Sequence, residues 1–141
     1  MTPEEAADRV EIGDLFVTYA RALDTRDWDG LAAALTPDAV VDYSAFDGPR
    51  AGLAEVVPWL QANLGSFALS QHFVGNVQVW FDGPDEARGR CEIINPMLNP
   101  RDGGRLGGFL VGGSYEDRLV RTTEGWRIAE RVAHPSWLVE I

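Results

Sequence analysis

The chain has a single cysteine, Cys91, and only two histidines, His72 and His134. One thiol excludes an intrachain disulfide framework and any multi-cysteine metal cluster, and it fits a reducing compartment. Two widely spaced histidines with scattered acids have no metal-ligand spacing, so no metal is expected. No apolar run approaches the ~20 residues needed to span a bilayer. The N-terminal MTPEEAADR lacks the apolar stretch of a secretory signal, and the C-terminal LVEI is not a lipidation box. The expectation is a cytoplasmic protein with no membrane partner. Basic residues are scarce as well, 12 against 22 acids, for a formal charge of −10. Such a field repels phosphate backbones, which argues against a nucleic-acid partner. There is no Gly-rich phosphate loop, no GxSxG elbow and no HExxH. The glycine pairs at 103–104 and 112–113 lack the strand–helix setting of a dinucleotide site. Any chemistry is therefore expected to be cofactor-free acid–base work in a pocket.

The length of 141 residues suits one domain spanning 1–141, large enough to bury a core without staples. Thr2-Pro3-Glu4-Glu5 has the order of a capping box with proline at the first helical position. Ile12, Leu15, Phe16, Tyr19 and Leu23 then recur at three- and four-residue steps, which predicts a helix over 4–24. A short helix is expected over 28–35, capped by Asp27 and stopped by Thr36-Pro37-Asp38. A short strand follows at 39–43, then a loop at Phe46-Asp47-Gly48-Pro49, then a helix over 53–64, irregular near Pro58. From residue 71 the period changes. Strands are expected over 71–81, 86–98, 106–120 and 126–137, joined by turns at Gly83-Pro84-Asp85 and Thr122-Thr123-Glu124-Gly125 and by a longer polar link at 99–104. Helices first and then antiparallel strands give an α+β fold. Glycines at 107, 108, 112 and 113 suggest a strongly bent sheet. Helices laid in its concave face make a cone with an apolar pocket. Trp80, Trp126 and Trp137 are expected on the outer sheet face.

Few residues stand out for chemistry. His72 opens a strand in Gln-His-Phe-Val-Gly-Asn, and either histidine reads equally well as a satisfied structural residue. Asp24 closes the first helix, where the negative end of the dipole disfavours an acid. That conflict hints at a task for it, although a solvated acid is the plainer reading. Tyr19 lies on the apolar stripe and Tyr43 ends a strand, so both can be packing residues. Cys91 reads as a small buried hydrophobe. The excess acid is expected outside, with Asp24 the one carboxylate indoors.

The runs Ile12-Gly13-Asp14-Leu15, Tyr19-Ala20-Arg21-Ala22-Leu23-Asp24 and Arg26-Asp27-Trp28-Asp29 resemble the start of a SnoaL-like domain, of the nuclear transport factor 2-like superfamily. Gln71-His72-Phe73-Val74-Gly75-Asn76, Gly112-Gly113-Ser114-Tyr115-Glu116-Asp117 and Gly125-Trp126-Arg127-Ile128 continue the pattern in the same order. The resemblance spans essentially the whole chain and implies a cone-shaped α+β barrel, its helices packed in the concave face of a bent mixed or antiparallel sheet. Within the superfamily the motifs are most similar to scytalone dehydratase, bile acid 7α-dehydratase and hexachlorocyclohexane dehydrochlorinase, which eliminate a group across two carbons without a cofactor. They pair an acid at the end of the first helix with a histidine at the start of a strand, and Asp24 and His72 fall on those positions. Tyr43 resembles a tyrosine of both dehydratases, and Tyr19 one of the bile acid enzyme. Arg121 falls near an arginine of the dehydrochlorinase. The chain departs at Met97, where scytalone dehydratase has a second histidine, and at Asn95, where the bile acid enzyme has an acid. Leu23 replaces a tyrosine of scytalone dehydratase.

The resemblance thus implies a cofactor-free lyase, a dehydratase acting on a small hydrophobic carbonyl compound. Isomerase or cyclase chemistry in the same pocket, and a non-catalytic binding module, remain open beside it. In the first reading His72 is the base, Asp24 orients it, and Tyr43 and Tyr19 donate to developing charge. Asn95, Met97, Arg121 and Tyr115 are the expected substrate contacts. The family resemblance also implies a homo-oligomer, a dimer or a trimer.

Overall fold

The computed structural model describes all 141 residues. Helix α1 (Pro3–Thr25) opens with the expected reciprocal cap, the Thr2 side chain accepting from the Glu5 N–H and Glu5 accepting from the Thr2 N–H. It buries Ile12, Leu15, Phe16, Tyr19 and Leu23, the predicted stripe. Arg26 takes a left-handed conformation, φ 59, that turns the chain sharply into α2 (Trp28–Ala33), whose first turn is capped by the Asp27 carboxylate. Helix α3 (Leu53–Gly65) runs without a break through Pro58, where an irregularity was expected. Pro58 lies near the helix start, so the bond its missing N–H removes is one of the first.

Seven strands form one sheet: β1 (Leu35–Asp42), β2 (Arg50–Ala51), β3 (Leu69–Ser70), β4 (Phe73–Phe81), β5 (Glu86–Pro100), β6 (Leu106–Thr122) and β7 (Gly125–Glu140). Their order is β2-β1-β7-β6-β5-β3, with β4 also pairing β5. All pairs are antiparallel except β1 with β7. The fold is therefore mixed α+β, three helices against a strongly curled sheet. Strand β1 begins at Leu35, four residues before the expected start. It does so because Leu35 pairs in parallel with Ile128, a contact some ninety positions away that local pattern cannot register. The β6–β7 ladder slips between Gly112 and Gly113. A Cβ on Gly113 would stand 2.4 Å from the His134 carbonyl oxygen, so this bend needs glycine.

The two sheet faces differ sharply. Inward residues of β5, β6 and β7 pack on α1 around Cys91, Leu119, Ile128 and Trp126. Trp126 is fully buried there, against the expectation that it lies outside with Trp80 and Trp137, which are 41% and 44% exposed. The reason is its pairing: the indole N–H donates to Asp8 of α1 and the ring packs beside Phe81. On the outer face, Phe73, Ile94, Gly112 and Trp137 stand in register across β4, β5, β6 and β7. The Trp137 ring packs against Gly112, where a Cβ would be 2.1 Å from it. No helix is long and apolar enough to cross a membrane.

Candidate functional site

The curl of the sheet and the C-terminal ends of α1 and α3 enclose a cavity of about 260 Å³. Leu23, Leu60, Leu64, Ile93 and Val111 supply much of its wall, with Trp59, Phe46, Phe67 and Phe109. No charged side chain lines it. Its polar groups are His72, Asn95, Tyr43, Tyr115 and Asn63. An engineered cavity of ~150 Å³ takes up benzene, so this one suits a neutral molecule of about two fused rings.

His72 sits just before β4, where Asp24 comes over from the last turn of α1. The Asp24 carboxylate accepts the His72 backbone N–H, at 2.9 and 3.1 Å from its two oxygens, and lies 2.6 Å from Nδ1. A carboxylate only accepts, so Nδ1 carries the proton and Nε2 presents a lone pair. Asn95 stands on the other side of the ring, its amide nitrogen 2.7 Å from Nε2. The amide oxygen of Asn95 is buried without a partner. The imidazole is thus fixed at both nitrogens, with its basic edge on the pocket.

The chain's three tyrosines gather at one end of the cavity. Tyr43 and Tyr115 line it, while Tyr19 lies behind, fully buried, its hydroxyl 2.8 Å from that of Tyr43. Burial pushes all three phenols above their ordinary range. They stay protonated and act as donors. Met97 lines the wall opposite, on the same strand face as Asn95.

Beneath the tyrosines lies a pair that the sequence reading missed. Arg131 and Asp117 form a two-pronged bond at 2.8 and 2.7 Å, both side chains fully buried. The guanidinium lies between the rings of Tyr19 and Tyr115, 4.2 and 4.1 Å from their centroids. Desolvation raises the Asp117 carboxyl, with Arg131 opposing it. Asp24 is therefore not the only interior carboxylate, since Asp117 is buried more completely. The signal was there: both residues lie on inward positions of their strands, directly opposite each other.

Arg121, expected among the substrate contacts, is elsewhere. Its guanidinium bonds Asp8 at 3.0 and 2.7 Å and the Pro84 carbonyl, and covers the Trp126 ring at 4.6 Å. It is six strand residues from Tyr115, roughly 20 Å along β6, and so lies beyond the cavity. The arginine nearest the cavity's tyrosines is Arg131, which lies behind Tyr115 and does not line the cavity. His134 is on the outer face, 3.5 Å from Glu116. Cys91 is buried in the core, its thiol pushed up to about 11 by desolvation, which suits an inert residue.

A family model described as the SnoaL-like domain matches residues 4–132. An uncharacterized protein of Mycobacterium tuberculosis is 41% identical over 128 residues, covering 91% of this chain and 85% of its own. A scytalone dehydratase-like protein of Passalora fulva is 31% identical over 72 residues, 51% of this chain and 41% of that one. Among solved structures, a Novosphingobium aromaticivorans protein described as an aromatic ring hydroxylase superposes with a TM-score of 0.79 and 28% identity, covering 100% and 96% of the two chains. Another from Novosphingobium aromaticivorans, described as a scytalone dehydratase, gives a TM-score of 0.82 at 22% identity, covering 100% and 92%. A hexachlorocyclohexane dehydrochlorinase of Novosphingobium barchaimii gives 0.79 at 17%, covering 98% and 92%. These last two share the fold.

Proposed function

The chain belongs to the SnoaL-like domain family, and from that premise we propose that it is a cofactor-independent lyase that dehydrates a small, neutral β-hydroxy carbonyl compound. The observation that carries the reading is the His72 imidazole, fixed by Asp24 on Nδ1, with Nε2 on an uncharged apolar cavity beside Tyr43. Dehydratase and dehydrochlorinase names among the similar proteins support the same reaction class.

In this mechanism the substrate displaces the Asn95 amide from Nε2. Nε2 then takes the proton α to the carbonyl, and the C–H pair moves toward the carbonyl oxygen. Tyr43, backed by the hydroxyl of Tyr19, donates to that oxygen as it gains charge, with Tyr115 beside it. The pair returns to form the α,β double bond, and the β C–O bond breaks. His72 gives its proton to the departing hydroxide, so water leaves and the base is restored. Asp24 stabilises the imidazolium between the two proton transfers. A placed base contributes ~10²–10⁴-fold, and aimed donors a comparable factor. The absence of any cation from the lining favours an uncharged substrate over a carboxylate or phosphate.

Incubation with a panel of neutral cyclic β-hydroxy ketones, followed by mass spectrometry, tests the reading. One member should lose water at a rate that His72→Ala lowers by ~10²-fold or more. No conversion across the panel, or conversion indifferent to His72→Ala, sinks it. A product of unchanged mass that depends on His72 identifies an isomerase using the same base.

We further propose that the working form is a homo-oligomer joined through the outer sheet face. Beside its apolar row, that face carries Arg88, Arg90 and Arg118 against Glu92, Glu116 and Glu130. It is neutral in a chain of charge −10, so repulsion between two copies is weak there.

A further inference from the structure

The acid of the proposed pair sits where a helix least favours one, at the negative C-terminal pole of α1. Neither α1 nor α3 has a basic residue in its last turn. Both poles are served by one side chain from outside them. Arg26, the first residue past α1, donates from Nη1 to the Leu23 carbonyl at 2.5 Å and from Nη2 to the Leu64 carbonyl at 3.1 Å. Leu23 immediately precedes Asp24, and Leu64 is in the last turn of α3. Both leucines line the cavity. The Arg26–Leu64 bond is the hydrogen bond that ties the two helices together across the pocket.

The backbone at Arg26 makes the choice of residue informative. Its φ of 59 is the left-handed turn at which helices usually place glycine. An arginine there accepts strain that glycine avoids. Its backbone N–H already closes the last turn of α1 onto Leu23 and Ala22, a bond glycine makes equally well. What glycine cannot supply is the guanidinium: a cation at the joined ends of two helices, and a strut from the acid's own turn to the facing wall.

We propose that Arg26 is the positioning residue of the Asp24–His72 pair, holding the Asp24 turn against the end of α3 and so fixing the carboxylate on the imidazole. This rests on the acid–base reading of that pair. Arg26 touches neither the ring nor the cavity and acts through Asp24. Without the strut, the terminal turn of α1 frays and Asp24 leaves both the Nδ1 proton and the His72 amide.

Two reporters read this without any substrate. One is hydrogen exchange at the His72 amide, which donates to Asp24. The other is the Nδ1 proton of His72, observable by NMR while it is held at 2.6 Å from a carboxylate. Arg26→Gly relieves the backbone strain and so should fold. Arg26→Met keeps the strain and the apolar stem but loses both bonds. The expected result in each is at least tenfold faster exchange at the His72 amide and loss of the Nδ1 resonance, with exchange at Cys91 and Leu119 unchanged. Arg26→Lys, which retains the charge and one bond, should recover part of the protection. Wild-type exchange and an intact Nδ1 resonance in Arg26→Met or Arg26→Gly overturn the proposal. Should the ketone panel fail while these signals move, the reaction is wrong and the strut stands. Unmoved signals sink the strut whatever the panel gives.

Discussion

All three tyrosines of the chain sit in one buried cluster, so their titration reports on the pocket with no surface background. Burial raises each phenol above its ordinary value near ~10. A folded value above the unfolded one means stability that is whole below pH ~10 and lost as the pH climbs past it, because the unfolded chain then releases protons that the folded chain keeps. Absorbance of the phenolate should accordingly stay absent near pH 10 and appear only with loss of the folded circular-dichroism signal. Gradual phenolate formation in a folded protein near pH 10 would show that the cluster is open to water. The Asp117–Arg131 pair under it invites a second measurement. Arg131→Met alone leaves a buried carboxylate unpaired and should cost ~3–5 kcal/mol in denaturant unfolding. Asp117→Leu combined with Arg131→Met should cost far less, and equal losses in the single and double variants would contradict that account.

Among the elements, α1 was legible end to end because its cap and its stripe are local signals. Asp24 stood out because a helix end explains an acid poorly, and Arg26 now supplies the explanation. What was not legible depends on partners distant in sequence. Strand β1 starts at Leu35 through its parallel pairing with β7. Arg131 reads as an ordinary strand charge until Asp117 is seen opposite it. Arg121 and Trp126 went astray together, since both are claimed by Asp8 on α1. The tight α1–α2 turn is itself testable. Asp27 caps α2 by accepting the Gly30 N–H at 2.9 Å. Asp27→Ala should cost ~1 kcal/mol, or roughly 3–5 °C in Tm for a chain of this size. No change in Tm would mean that packing of Leu31 alone holds the helix.

At the scale of the whole molecule, the charge of −10 and the outer sheet face have to be explained together. Acid spread over most of the surface keeps copies apart, and an apolar row left open to water is a cost to a monomer. Phe73 and Ile94 are 56% and 47% exposed, in line with Trp137. The face from Pro96 to Arg88 is roughly 26 Å long and, across four strands, about 19 Å wide. That is roughly 500 Å² of flat area before side-chain relief, somewhat over half of the ~800 Å² per partner of a standard interface. Packing that row on itself sets apolar against apolar and leaves both signs of charge at the rim. Sedimentation equilibrium should then give a mass above the 15.5 kDa of one chain. Ile94→Glu, which sets like charges face to face in a desolvated contact, should return the monomer with its circular-dichroism spectrum intact. A monomeric wild type at ~100 μM, where a Kd of ~1 μM leaves few free chains, rules out this face as a stable contact between copies, and a variant that stays assembled puts the contact on some other surface.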